Sequence, residues 1–254
     1  MLLAVDIGNS NIVFGVHDGD AWLHHWRVRT VRDKMPDEYA VHFRAFLGEA
    51  GLSAGHLEQI VLSSVVPPVT GRLTEMLTDQ TAIAPLVISH SVGTGLTIAV
   101  DNPAEVGADL IANGIAAYER FGAACVAVDF GTASTFSAIS DEPAFLGVAI
   151  APGLNLAASA LAGGTAQLPQ IDLVAPPSVI GTNTSASIQA GVVLGYVGLV
   201  EGLIDRLHAE MGAPVPVVAT GGLSRIIAPL TDRFTAVDPW LTLEGIRLIG
   251  LRNR

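Results

Sequence analysis

The chain holds one cysteine, one lysine and few aromatic residues among its 254 positions. Each shortage excludes something. A lone Cys125 forms no internal disulfide, and its place in the apolar run CVAVDF marks a buried structural thiol in a reducing compartment. A net charge of −11 with scattered arginines excludes a surface built for nucleic-acid phosphates. The opening MLLAVDIG has no basic segment and meets Asp6 before a signal core could form, so a cytoplasmic location is expected. Neither GxxxxGKS/T nor GxGxxG occurs, which removes the P-loop and Rossmann signatures. Charge is nearly absent between Glu142 and Glu201, where only Asp172 carries it. Pro143, Pro152, Pro169, Pro176 and Pro177 interrupt that stretch, and a spanning helix needs about 20 uninterrupted apolar residues, so no membrane insertion is expected.

What the chain does have is a repeated phrase. AVDIGNSNIVF (Ala4 to Phe14) returns as AVDFGTASTF (Ala127 to Phe136), with Asp6 and Asp129 123 residues apart. Alternation predicts strand, turn, strand over Leu2 to Val16 and a third strand over Ala21 to Thr30. A helix follows, capped by Asp37 and ended by Gly51, and then a strand stopped by Pro67 and Pro68. The second phrase restarts the pattern: strand, turn, strand over Cys125 to Ser140 and a third strand over Ala144 to Gly153. Helices follow over Leu154 to Leu161 and Ser185 to Met211, then a strand over Val215 to Gly222 and a closing helix over Thr242 to Leu251. The expected fold is α/β, two duplicated halves at residues 1–112 and 113–254, with the boundary in the helix-like stretch Val106 to Phe121. Gly191, Gly195, Gly198 and Gly202 stripe the long helix, which reads as close helix packing, with a homodimer interface as the competing reading.

A strand ending in Asp-x-Gly, followed by Asn, Ser or Thr, sets a carboxylate and several backbone N–H groups at one sheet edge. The N–H groups favour an anion and glycine lets it approach closely, while the carboxylate calls for a bridging cation. One such loop alone reads equally as a tight β-hairpin. Two copies from facing halves suggest a polyphosphate clasp, and VVATGGLSR, with Gly221 and Gly222, supplies a third loop suited to the sugar or base side of a nucleotide.

The blocks DIGNSNIVFG, SSVVPP, NPAEVGAD, VDFGTAST, APGL, TAQLP, TNTSASIQAG and ATGGL, in this order and spacing, resemble those of the type III pantothenate kinases across essentially the whole chain. That family lies within the acetate and sugar kinase/Hsp70/actin superfamily of ribonuclease H-like halves. The resemblance implies ATP-dependent phosphorylation of a small-molecule hydroxyl, pantothenate to 4'-phosphopantothenate at the start of coenzyme A synthesis, by a homodimer. It implies that Asp6, Ile7, Gly8, Asn9, Ser10 and Asn11 hold ATP phosphates and Mg2+, and that Thr132 adds a nucleotide contact. Asp129 would bind a monovalent cation, K+ or NH4+, and Asp109 would be the general base. Val100, Gly107, Ala108, Asp109, Leu110 and Thr184 would meet the acceptor. From the residues alone, Asp109 also reads as a helix-start carboxylate bonded to backbone N–H groups.

The chain departs from the family where Leu110, Gly93, Gly164 and Gln167 replace commonly basic residues. Arg to Leu removes a bidentate carboxylate partner and leaves an apolar wall. That pattern opens two alternatives: a kinase for a neutral acceptor such as a nucleoside, polyol or sugar, and a non-catalytic regulatory homologue. His24 and His25, adjacent in a strand, face opposite sides, which disfavours a shared metal; Trp22 and Trp26, of like parity, are expected to pack on one face.

Overall fold

The computed structural model describes all 254 residues. In chain order the elements are β1 (Leu2–Ile7), β2 (Asn11–His17), β3 (Trp22–Arg29), α1 (Pro36–Glu49), β4 (Gln59–Ser64), α2 (Pro67–Thr81), β5 (Leu86–Val87), β6 (Thr97–Ile98) and α3 (Ala108–Phe121). They continue with β7 (Cys125–Phe130), β8 (Ala133–Ile139), β9 (Ala144–Pro152), α4 (Leu154–Gly164), α5 (Thr184–Gln189), α6 (Gly195–Glu210), β10 (Val217–Thr220), α7 (Ser224–Ile227), β11 (Ala236–Val237) and α8 (Leu241–Arg252). Two compact units result, one of Met1–Ala116 with Thr242–Arg254, the other of Ala117–Leu241.

In the first unit the strands run β3-β2-β1-β4-β5, with β1, β2 and β3 antiparallel and β4 and β5 parallel to β1. In the second, β9-β8-β7-β10-β11 repeats that order and those directions. This is the duplicated α/β arrangement expected from the repeated phrase, with the ribonuclease H-like halves that the resemblance implies. The echo extends to burial: β1 and β7 share one pattern of buried and half-buried positions, as do β2 and β8, with Asp6 and Asp129 at the same partly exposed point. One face of the first sheet buries Val5, Ile7, Phe14 and Leu62 against α1 and α2, through Phe43, Leu47, Leu73 and Leu77. In the second unit, Val128, Phe130 and Phe136 pack on Val193, Tyr196 and Val200.

The chain divides differently from a cut at 112/113. The boundary falls within α3, and α8 closes on the first unit. Gly245 lies so close to Ala112 that a Cβ would collide with that carbonyl. Thr242 Oγ1 donates to Asn113 Oδ1 at 2.8 Å, and Gln59 Nε2 donates to the Gly250 carbonyl at 2.7 Å.

Several local expectations are corrected. Helix α1 starts at Pro36, with Met35 before it donating its N–H to Glu38 at 2.8 Å, so Asp37 lies in the first turn and is not the cap. Pro67 and Pro68 end a strand and also begin α2, because proline fits the first helical positions, where no N–H is needed. The two tryptophans lie on opposite faces. A bulge pairs Val16 with His24 but His17 with Trp22, which flips parity at Leu23. Trp26 stacks on Phe46 of α1 (5.3 Å, 7°), while Trp22 lies over Gly15 beside Leu243 and donates to Glu244.

The chain from Thr184 to Glu210 is continuously helical, with a π turn at Ala190–Leu194 between α5 and α6. No proline interrupts it, and by length and composition it could cross a membrane. Its apolar face, with Ile188, Val192, Tyr196, Val200 and Ile204, forms the core of the second unit. The glycine stripe does not serve close packing within the chain, since a Cβ at Gly191, Gly195, Gly198 or Gly202 would meet nothing within 4 Å.

Candidate active site

Where β1 ends, Asp6 is held by the strand beside it. Asp6 registers with Ser63 of β4, and the buried Ser63 hydroxyl donates to Asp6 Oδ1 at 3.2 Å. The turn Gly8–Asn9–Ser10 follows, closed by the Gly8 N–H on the Asn11 carbonyl at 3.0 Å. Thr30 pins this turn twice: its N–H reaches Ser10 O at 3.0 Å and its hydroxyl Gly8 O at 2.6 Å. Asn9, Ser10 and Asn11 stay exposed. Thr30 carries no recognisable motif of its own, and Ser63 opens the SSVVPP block, where its role beside Asp6 shows only once the strands are paired.

Asp109 opens α3 in the same unit. Its Oδ1 accepts the Leu110 N–H at 2.8 Å, and a Cβ on Gly107 would collide with that oxygen, so a larger residue there would displace the carboxylate. The same Cβ would lie 3.4 Å from Val65 Cγ1, and Val65 donates its N–H to the Ile7 carbonyl. This places Asp109 at the edge of the sheet that carries Asp6. Burial pushes the Asp109 carboxyl above its ordinary range, more than its backbone hydrogen bonds lower it. Leu110 is buried at 8% exposure and presents little surface for an apolar wall, and Val100 is half-buried before this segment.

In the second unit a shorter turn, Gly131–Thr132, joins β7 to β8, with the Gly131 N–H on the Ala133 carbonyl at 3.1 Å. Gly153 abuts this turn and donates to Thr132 O at 3.2 Å. Gly221, at φ +85°, lies against Asp129: a Cβ would collide with Asp129 Oδ1 and lie 2.6 Å from the Phe130 carbonyl. Ser224 then donates to Gly221 O at 2.7 Å. Asp129, Gly131, Thr132, Gly221 and Gly222 thus gather at one sheet edge. Thr184 stands exposed at the start of α5, beside Asn183, which caps that helix. His24 and His25 diverge to opposite faces as expected, His24 onto Trp26 and His25 toward Trp22.

Two aspartates at equivalent strand ends, each followed by a glycine turn, and a third acid opening a helix are parts that phosphoryl transfer uses. The model of the type III pantothenate kinase family matches residues 2–206. The chain belongs to that family. Type III pantothenate kinases of Moorella thermoacetica and Roseiflexus castenholzii are 50% and 47% identical, each aligned over all of both chains. Among solved structures, a conserved Baf family protein of Campylobacter jejuni is 22% identical, with a TM-score of 0.58 over 99% of this chain and 98% of that one. The polyphosphate/ATP-glucomannokinase of Arthrobacter, 14% identical with a TM-score of 0.50, covers 99% and 98%. These likenesses give the family member a fold shared with sugar kinases.

Proposed function

We propose that this chain transfers the γ-phosphoryl group of ATP to the hydroxyl of pantothenate, yielding 4'-phosphopantothenate and ADP. The carrying observation is Asp109: a carboxylate made more basic by burial, seated against Gly107 at the sheet edge that carries Asp6. Asp109 takes the hydroxyl proton as the substrate oxygen forms its bond to γ-phosphorus and the bond to the bridging oxygen breaks, releasing ADP. The exposed turn Gly8–Asn11 binds phosphate oxygens through N–H and side-chain donors. Asp6, oriented by Ser63, would hold Mg2+, which when bound neutralises phosphate charge; one carboxylate completed by phosphate and water suits that ion. Asp129 would hold K+ or NH4+, since a single carboxylate cradled by glycine near a backbone carbonyl suits a monovalent ion. Thr132, Gly221 and Gly222 contact the nucleotide, and Val100, Gly107, Ala108, Leu110 and Thr184 contact the acceptor.

The glycine stripe supports a homodimer. Interior helix glycines cost about 1 kcal/mol each against alanine, and nothing within the chain uses the close approach they permit. Exposed Ile150, Leu156, Val179 and Ile180 add apolar surface in the same unit. A reducing, cytoplasmic setting suits Cys125, whose thiol burial pushes up to about 12.

The test is a coupled ATP assay with K+ present, offering pantothenate, nucleosides and polyols. Pantothenate is expected to be the preferred acceptor; preference for a neutral acceptor would overturn the assignment. Nucleotide binding without turnover of any acceptor would favour the regulatory alternative.

A further inference from the structure

The two halves repeat a detail that neither aspartate motif contains. Parallel register sets Ser63 beside Asp6 in the first unit and Thr220 beside Asp129 in the second. Registered residues project to the same face of a sheet, so each half pairs an acid with a hydroxyl. The pairs are used differently. Ser63 donates to Asp6 at 3.2 Å, whereas Thr220 Oγ1, in a residue only 1% exposed, has no hydrogen-bond partner.

A buried, unpartnered hydroxyl carries a desolvation penalty and calls for an explanation. The surroundings narrow it. The next residue, Gly221, lies against both Asp129 Oδ1 and the Phe130 carbonyl, with no side chain to fill the space. Phe130 O accepts the Leu223 N–H at 3.3 Å, and a carbonyl retains a second lone pair. A phosphate oxygen would be repelled by Asp129. A transition metal would require more than one acidic or imidazole ligand, and no group of three His, Cys, Asp or Glu suits one. Oxygen donors with a single negative charge are the chemistry of a weakly hydrated monovalent cation.

We propose that Thr220 is a ligand and affinity-setting residue for that cation, its hydroxyl oxygen completing the site with Asp129. This rests on the cation role proposed above for Asp129. The hydroxyl is held off the carboxylate because its lone pairs serve the ion, while the equivalent Ser63 in the first unit orients an acid.

Thermal melting of the full chain with MgADP, titrated with KCl at constant ionic strength, tests this without using turnover. Thr220→Val, which keeps the shape and removes the hydroxyl, is expected to raise the K+ concentration for half-maximal stabilisation about tenfold. Thr220→Ser should stay within about threefold of the unaltered chain, since it keeps the donor oxygen. Asp129→Asn should abolish the K+ response. In K+-free buffer Thr220→Val should melt no lower than the unaltered chain; a lower melt would show a partner within the protein and overturn the proposal. An unchanged K+ midpoint in Thr220→Val, with the response still lost in Asp129→Asn, would overturn the role of Thr220 and leave that of Asp129. No K+ response in the unaltered chain would overturn both.

Discussion

Gly221 gives the sharpest test of the second site because two separable penalties meet there. Its φ of +85° lies in the left-handed region, where a side chain costs roughly 1–2 kcal/mol. Alanine would also drive its Cβ into Asp129 Oδ1 and toward the Phe130 carbonyl, and overpacking of that kind adds roughly 1–3 kcal/mol. Gly221→Ala should therefore destabilise by about 2–5 kcal/mol, or roughly 4–20 °C in Tm for a chain of this size. Two controls separate the causes. Gly212 has nearly the same φ, +82°, with nothing within 4 Å of a Cβ, so Gly212→Ala should show only the strain, about 1–2 kcal/mol. Gly222 also has open space and no left-handed φ, so Gly222→Ala should fall within about 0.5 kcal/mol of the unaltered chain. Urea denaturation of the three variants, with Tm as the second readout, decides. If Gly221→Ala is no less stable than Gly212→Ala, the close seating of Asp129 on Gly221 is wrong.

Asp109→Asn is expected to lower kcat about 100- to 10,000-fold while ATP binding, read by calorimetry, persists. The same variant should be more stable near neutral pH. Burial raises the Asp109 carboxyl above its ordinary value of 3.8, so the folded chain binds that proton more tightly than the unfolded chain and loses stability as pH rises above that value. The Tm advantage of Asp109→Asn should therefore vanish on acidification below about pH 4, and an advantage that persists there contradicts the cause. Ser63→Ala removes one hydrogen bond to Asp6, about 1 kcal/mol, and should raise the KM for MgATP about fivefold with little change for pantothenate. Gly198→Leu should leave the monomer folded, since its Cβ meets nothing, and break the dimer in sedimentation velocity; an unchanged sedimentation coefficient rejects the glycine face as the interface.

The parts legible in the sequence were those set by local pattern. Alternating apolar residues gave the strands, and the repeated Asp-x-Gly phrases marked the two equivalent edges. Where distant contacts decide, local pattern gave no guide. The apolar stripe of α8 announces burial but not in which unit; Gly245 against Ala112 answers that, and nothing near Gly245 in the sequence names its neighbour. Strand parity failed at Trp22 because one extra residue at Leu23 changes every later assignment. The start of α2 was readable in principle, since Val69, Leu73, Met76 and Leu77 follow Pro67 and Pro68 at helical spacing and are all buried. The glycine stripe shows the opposite limit: its spacing is plain, yet nothing in the same chain packs against it.

The duplicated edges explain how one scaffold supports two different acids without moving a strand. Backbone directions, registers and burial match between the halves, so Asp6 and Asp129 leave their sheets alike. What differs is what surrounds each carboxylate. The first turn runs over Gly8, Asn9 and Ser10, and with Asn11 it presents amide and hydroxyl side chains to solvent, suiting an anion beside the acid. The second is one residue shorter, has Gly153 at its back, and has Gly221 against its acid and the Phe130 carbonyl. Exchanging Ser63 for threonine should thus be tolerated at Asp6 as long as the hydroxyl still reaches it, whereas removing the hydroxyl at Thr220 should matter only when the cation is present. That asymmetry follows from the single difference that one hydroxyl is bonded to its acid and the other is not.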